Sequence, residues 1–233
     1  MYTRLHLLLQ HHQPSFHTVV DFDPASEQLL RMDFSTNNTD LTPELVNPTQ
    51  LLNAYIEQLL IAKQCRYGIG GYNEERILYQ RSRHFDGEQN RTVHLGVDIW
   101  GAAGTAVYAP LGGIVHSSAY NDHFGDYGAT LILQHQLDGV TFHTLYGHLS
   151  LADITNSRCG RFISRGEQIG IFGKPEENGD WPPHLHFQVI EDMELREGDY
   201  PGVCTAADRE RYLLNCPDPD IILQLMQFAG NSL

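Results

Sequence analysis

Pro183-His184-Leu185-His186-Phe187-Gln188-Val189-Ile190 is the stretch from which the rest of the chain can be read. Its alternation is that of a strand, and successive strand residues face opposite ways with a rise of roughly 3.3 Å each, so His184 and His186 stand on one side about 6 to 7 Å apart at their bases. Leu185 and Phe187 point the other way, into whatever the strand packs on. Two imidazoles so spaced can serve a single metal site, one ring binding the ion at roughly 2.0 Å while its neighbour reaches the water on it. A bare H-x-H is more often a pair of ordinary surface or core histidines, so its meaning depends on partners elsewhere.

From about residue 92 onward the chain consists of short β-branched runs punctuated by glycine: 107–109, 113–116, 130–133, 140–146, 168–171 and 184–190. Such spacing predicts a mainly β core, a sandwich or barrel-like arrangement with tight antiparallel connections. Before it, residues 18–22 and 30–34 read as short strands. Asn47-Pro48 reads as an N-cap with proline at the first helical position, ahead of Leu51, Leu52, Tyr55, Ile56, Leu59 and Leu60 at helical spacing. The glycines at 68, 70 and 71 read as a turn; they are no phosphate loop, because they follow a helix and lack the Lys-Ser/Thr ending. After residue 192 a helix is expected around 206–214, and another from Pro217-Asp218-Pro219 carrying Ile221, Ile222, Leu225, Met226 and Phe228. The chain divides into an N-terminal α/β arm (1–91), a β core (92–192) and a C-terminal helical tail (193–233), both ends wrapping the core.

The 233 residues carry 29 acids against 15 bases, a formal charge of −14, with Lys63 and Lys174 the only lysines. That balance opposes binding to nucleic acid and to anionic membranes or polymers. Cys65, Cys159, Cys204 and Cys216 have no C-x-x-C or zinc-finger spacing and read as free thiols, with a Cys204–Cys216 bridge as the other possibility. The apolar run near the N-terminus stops at Gln10-His11-His12 without a small-residue cleavage site, and no run has membrane-spanning length. A cytoplasmic location follows as the expectation, or a secreted or periplasmic one if a leader precedes this sequence.

Two further groups could complete a site. His94-Leu95-Gly96-Val97-Asp98 offers an imidazole and a carboxylate, both good zinc ligands, with Gly96 letting the backbone bend so that they converge. Thr144-Leu145-Tyr146-Gly147-His148 alternates so that Thr144, Tyr146 and His148 share one face and His143 takes the other, which would bring His148 and the Tyr146 hydroxyl to the pocket. His11 and His12 read as solvent-exposed, and His84, His116 and His135 as structural.

Taken in order, His94-x-x-x-Asp98, the 104–110 run, Gly113-Ile114-Val115, Tyr146-Gly147-His148-Leu149-Ser150, Arg165-Gly166-Glu167-Gln168-Ile169-Gly170 and Pro183-His184-Leu185-His186-Phe187 resemble the lysostaphin/LytM-type zinc metalloendopeptidases over roughly residues 92–190. The resemblance implies the duplicated hybrid motif β fold and zinc held by His94, Asp98 and His186. It implies that His148 and His184 flank a metal-bound water, and that the substrate is a peptide, in relatives a peptidoglycan cross-link. In such a site the water would attack directly, either histidine could be its base, and Tyr146 or a protonated histidine could meet the oxyanion.

Some residues depart from the pattern. Gln188 stands where many relatives have glutamate and, lying further along the strand, is expected to matter little to the metal. The loop Lys174 to Pro182 is acidic and bulky in place of a short turn, and with 120–127 it is expected to wall the substrate groove; His123 reads there as a plain loop residue. Two other functions compete with the peptidase. A LytM-like regulatory module would be expected to lack some ligands, whereas this chain has all of them. A lipoyl-type carrier needs a lysine at a hairpin tip, and Lys174, the only lysine of the β region, lacks that setting.

Overall fold

A computed structural model describes residues 3–81 and 91–230; His84 lies outside them. In chain order the elements are α1 (Arg4–His12), β1 (Leu29–Arg31), α2 (Pro43–Val46), α3 (Thr49–Lys63), β2 (Tyr67–Gly70), β3 (Val93–His94), β4 (Val97–Trp100), β5 (Ala106–Tyr108), β6 (Gly113–Asn121), β7 (Gly128–Leu137) and β8 (Val140–Leu149). These are followed by α4 (Leu151–Thr155), β9 (Phe162–Ile163), β10 (Gln168–Ile171), β11 (His184–Ile190), β12 (Val203–Cys204), α5 (Arg209–Asn215), α6 (Asp220–Leu223) and β13 (Ala229–Gly230). The fold is mainly β. Among the described residues, one mixed sheet has the order β13-β1-β2-β4-β11-β8-β7-β6-β9, with β5–β10 and β3–β12 as separate two-stranded ladders.

The expected strand 184–190 is β11, buried along its whole length and paired antiparallel with β4 on one side and β8 on the other. Leu185, Phe187 and Val189 join Val97 and Ile99 of β4 in the large core on one face of the sheet. The opposite face carries His184, His186 and Gln188, and ends in Ile190 packed with Ile132 and Leu145. The β7–β8 hairpin turns at Asp138-Gly139, both with positive φ (48° and 78°), the backbone that a two-residue connection between right-twisted strands requires.

The two ends of the chain continue the same sheet. Leu29–Arg31 forms β1, overlapping the expected 30–34 strand only at residues 30 and 31, and runs parallel to both β2 and β13. Residues 18–22 are irregular, but Val19, Val20 and Phe22 are buried. α1 was not expected: its Leu5 and Leu9, one turn apart, are buried, a period hidden in the unbroken Leu7-Leu8-Leu9 run. α3 starts one residue later than read, with Pro48 at the cap, and buries Leu52, Ile56 and Leu60; Gln64 closes it in the left-handed conformation. Of the glycines taken for a turn, Gly68 and Gly70 lie in β2, an interior strand, and Gly71 follows it with a positive φ. Gly70 is needed there because a Cβ would stand 2.5 Å from the carbonyl oxygen of Met32, just past β1, and at Gly68 one would stand 2.7 Å from the Met32 side chain. Close backbone approach, rather than a reversal, explains them.

All four cysteines are free. Among the described residues no helix is long and apolar enough to cross a membrane.

His135 of β7 is enclosed in the core, its Nδ1 2.9 Å from Gly112 O and its Nε2 2.7 Å from Thr144 Oγ1. Burial pushes its pKa down to about 4, the Gly112 hydrogen bond acting weakly the other way. The unfolded chain, with the ordinary value near 6.5, therefore takes up the proton first as pH falls. Stability carried by neutral His135 is complete above about pH 6.5 and is lost progressively down to about pH 4, an effect of about 3 kcal/mol at roughly 1.4 kcal/mol per unit. In urea titrations between pH 7 and 4, His135→Gln should lower stability at pH 7 but flatten the acid loss by about that amount; an equally steep loss in the variant would contradict this assignment.

Candidate metal centre

Antiparallel register brings the candidate residues together. β11 pairs His186 with Asp98 and His184 with Trp100 of β4, so the four side chains rise from one patch of the sheet's second face. His94 ends β3, which is itself anchored by pairing of Val203 with His94. The outcome is a compact triangle. His94 Nε2 lies 2.9 Å from His186 Nδ1 and 3.3 Å from Asp98 Oδ1, and His186 Nδ1 lies 3.1 Å from the same oxygen. Among the described residues this is the one cluster of three metal-ligating groups, and all three are buried.

The outward contacts of each residue decide what faces inward. His94 Nδ1 lies 2.9 Å from Gly71 O, to which it can only donate, so its Nε2 carries the lone pair. Burial, then the nearby Arg76, lower the His94 pKa to about 3, so the ring is neutral. His186 Nε2 lies 3.0 Å from Gln188 Oε1, whose amide orientation is set because Gln188 Nε2 donates to Pro201 O at 3.1 Å and to Cys216 Sγ at 3.3 Å. Donation from His186 Nε2 leaves its Nδ1 as a second lone pair. Burial opposes ionisation of Asp98, yet the guanidinium of Arg76 beside it helps hold the carboxyl well below the usual range. His94 Nε2, Asp98 Oδ1 and, in the neutral ring, the His186 Nδ1 lone pair therefore point at one another across about 3 Å. Ligands at roughly 2.0–2.2 Å around a tetrahedral ion would stand about 3.3 Å apart, so the donor set and its spacing fit a zinc-sized cation.

Gln188 thus does more than was expected of it. Although further along the strand, its side chain lies back against His186 and selects the tautomer. Gly96 also has a different function from bending the chain: a Cβ there would lie 2.4 Å from His186 Cε1 and 2.9 Å from Phe187 O, so the glycine makes room for the imidazole.

His148 and His184 face each other beside the triangle, ring centroids 4.1 Å apart. His184 is stacked on Trp100 at 4.0 Å, and its Nδ1 lies 2.7 Å from Pro182 O. His148 Nδ1 lies 2.8 Å from Asn178 O. Each Nδ1 can only donate to its carbonyl, so each Nε2 is an acceptor. Burial lowers the His184 pKa to about 4 and that of His148 well below its usual value, with the facing His184 adding to the latter.

Tyr146 does not reach the site. Its ring is fully buried in the core on the other face, 5.4 Å from that of Phe187, and its hydroxyl accepts from Thr144 Oγ1 at 3.0 Å. The period-two reading fails after Tyr146 because the β7–β8 register shifts, setting Gly147 and His148 opposite Thr130 alone. His148 takes a left-handed conformation (φ 63°), and the bulge turns it to the metal side while Thr144 and Tyr146 stay in the core. The tyrosine that does approach is Tyr127, its hydroxyl 3.4 Å from His186 Nε2 and donating to Gln188 Oε1 at 3.4 Å.

The cluster opens into a pocket of about 330 Å³ whose walls include Tyr79, Trp100, Tyr127, Trp181 and Tyr200. The acidic loop contributes Trp181, but Asn178 and Glu177 turn inward. Buried Asn178 donates to Gly173 O and Trp181 O, and Glu177 Oε2 accepts from the Leu151 N–H at the start of α4. Gly125, Asp126 and Tyr127 line the pocket from the 120–127 segment, whereas His123 is exposed and outside its lining. Arg76, also in the wall, was not foreseen: nothing in Glu74-Glu75-Arg76 distinguishes it from a solvated charge run. It is 2% exposed and donates to Asp98 Oδ2.

Residues 92–197 match the sequence model of peptidase family M23. The chain is similar to that family over this segment, a little under half of its length. The matched span holds every residue of the triangle and both flanking histidines. Solved structures resemble the chain more loosely: a zinc-containing peptidase from Vibrio cholerae (29% identity over 42% of this chain and 27% of that one, TM-score 0.34) and the catalytic domain of lysostaphin from Staphylococcus simulans (21%, 66% and 94%, 0.41). The prophage-encoded M23 protein EnpA from Enterococcus faecalis is a third, at 18% identity over 57% of this chain and 88% of that catalytic domain, TM-score 0.39. The chain spans about a quarter of the Vibrio protein's length. No curated protein sequence matches it.

Because Gly96 sits under His186, Gly96→Ala should push the ring aside and cost about 1–3 kcal/mol, the usual range for overpacking. Urea unfolding would read that loss, and a variant as stable as wild type would show that the ring has space to spare.

Proposed function

We propose that the chain is a zinc-dependent metallopeptidase that hydrolyses a peptide bond with metal-activated water. The supporting observation is the triangle of His94 Nε2, Asp98 Oδ1 and His186 Nδ1, each atom facing inward because its partner atom or tautomer is committed elsewhere. These three atoms would hold the ion, beside the pocket that they help to line. Zinc in such a site lowers the pKa of bound water to around 7 and polarises a carbonyl.

The chain's own residues supply the proton transfers. His148 and His184, neutral and fixed through their Nδ1 atoms, present Nε2 lone pairs beside the triangle, where either can take the proton of the attacking water. The proton then returns to the leaving amine from the same imidazole pair. A protonated member of the pair offers an N–H to the developing oxyanion, the part once expected of Tyr146. The aromatic walls exclude water around the scissile bond and receive a peptide's apolar side chains.

A peptide of the peptidoglycan type, cross-link or stem, is the substrate we favour, on the resemblance to lysostaphin and LytM. The −14 charge fits poorly with adhesion to anionic wall polymers, so an unattached peptide fragment suits this chain better than intact wall. A purely regulatory module would have no use for two tautomer-fixed histidines beside a complete ligand set.

Elemental analysis of protein purified without added metal should give about one zinc per chain, lost in Asp98→Ala and His186→Ala. His184→Ala should keep zinc and lose about 10²–10⁴-fold in peptide hydrolysis, the usual contribution of a general base. Full zinc occupancy in His186→Ala would refute the ligand assignment, and wild-type protein that takes up no zinc on reconstitution would refute the metallopeptidase.

A further inference from the structure

Two of the three proposed ligands are held from behind by residues 71–76, outside the segment that matches the peptidase family. The Gly71 carbonyl accepts from His94 Nδ1, and Arg76 Nη1 donates to Asp98 Oδ2 at 2.5 Å. We infer that Arg76 is a positioning residue of the metal site: it occupies one oxygen of Asp98, so that the carboxylate presents the other oxygen alone to the ion and leaves the fourth coordination position to water. The inference rests on the metallopeptidase reading.

The guanidinium cannot swing away. Its Nε donates to Glu74 Oε2 at 2.7 Å, its Nη2 points to Gly70 O at 3.4 Å, and its Nη1 also lies 3.5 Å from the Tyr79 hydroxyl. A planar fork gripped on several edges fixes the direction of the carboxylate it binds, which a point charge on a flexible stem does not. Asp98 Oδ1 is left at 3.3 and 3.1 Å from the two imidazole nitrogens. Bidentate binding would need Oδ2 to face them as well, and Oδ2 is turned to Arg76.

A buried cation repels a dication, which opposes this arrangement on charge alone. Glu74 on the opposite edge of the guanidinium answers this. Arg76 and Glu74 form a nearly neutral pair, and the negative charge of Asp98 remains for the ion. Orientation is then the larger effect of removing Arg76. Gly71 provides the room: at φ 101° it has the left-handed backbone that glycine tolerates, and a Cβ there would lie 1.7 Å from Arg76 Nη2. One residue clears the guanidinium and orients His94.

The test compares wild type, Arg76→Met and Arg76→Lys, all as the full chain, by zinc competition with a chromophoric chelator and by the visible spectrum after cobalt(II) substitution. Arg76→Met should bind zinc about 10–100-fold more weakly, the usual cost of losing an outer partner of a ligand. Its cobalt band, intense for a four-coordinate ion, should weaken about two-fold or more as the freed oxygen enters the coordination sphere. Arg76→Lys keeps the charge without the fork and should move both readouts the same way, which a charge effect would not do. Arg76→Met that is folded by near-ultraviolet circular dichroism, with wild-type affinity and spectrum, would overturn the positioning role. Should that variant fail to fold, unchanged affinity and spectrum in Arg76→Lys would overturn it equally. Wild type that takes neither zinc nor cobalt would overturn the metallopeptidase reading itself.

Discussion

The carboxylate of Asp98 is divided between two tasks, and the rest of the site is arranged around that division. One oxygen meets the two imidazoles and the other meets a buried guanidinium. A charge so deep is costly unless paired and fully hydrogen-bonded. Arg76 meets that requirement only because Glu74 satisfies its other edge and Gly71 yields space for it. The acid, the base and the glycine come from one short segment, and the sheet brings that segment to Asp98 through the pairing of β2 with β4.

The same logic governs the histidines. None of the four in the site is free to choose its tautomer: Gly71, Asn178, Pro182 and Gln188 each hold the nitrogen that points away. Three of these partners are backbone carbonyls, whose positions follow from the fold and not from a side-chain rotamer. The fourth is an amide, itself anchored by Pro201 and Cys216. Lone-pair direction is therefore a property of the whole architecture.

The sequence disclosed the groups that alternation and spacing can reveal. The strand carrying His184 and His186, the His94 and Asp98 pair and the β texture after residue 92 follow from period two and from the chemistry of the residue types. What stayed hidden depends on tertiary contact or on broken periodicity. Tyr146 was misplaced because a bulge is invisible to a rule that assumes regular alternation, and the same bulge delivers His148. Gly68 and Gly70 looked like a turn because glycine gives no sign of whether it is wanted for its φ or for its missing side chain. Arg76 and Gln188 were passed over since their effect lies in partners distant along the chain, and no local pattern marks a guanidinium for burial.

The contribution of both chain ends to one sheet has a consequence for how the protein acquires its chemistry. His94 and Asp98 lie near the middle of the chain, His186 about ninety residues further on, and their outer partners near 71 to 76 and near 201 to 216. Bringing such separated pieces together costs loop-closure entropy before any contact repays it. A partly folded chain that lacks either end cannot hold all three inward-facing atoms with their tautomers and carboxylate direction set. Assembly of the His94–Asp98–His186 triangle thus belongs late in folding, after the distant segments that orient it have come together.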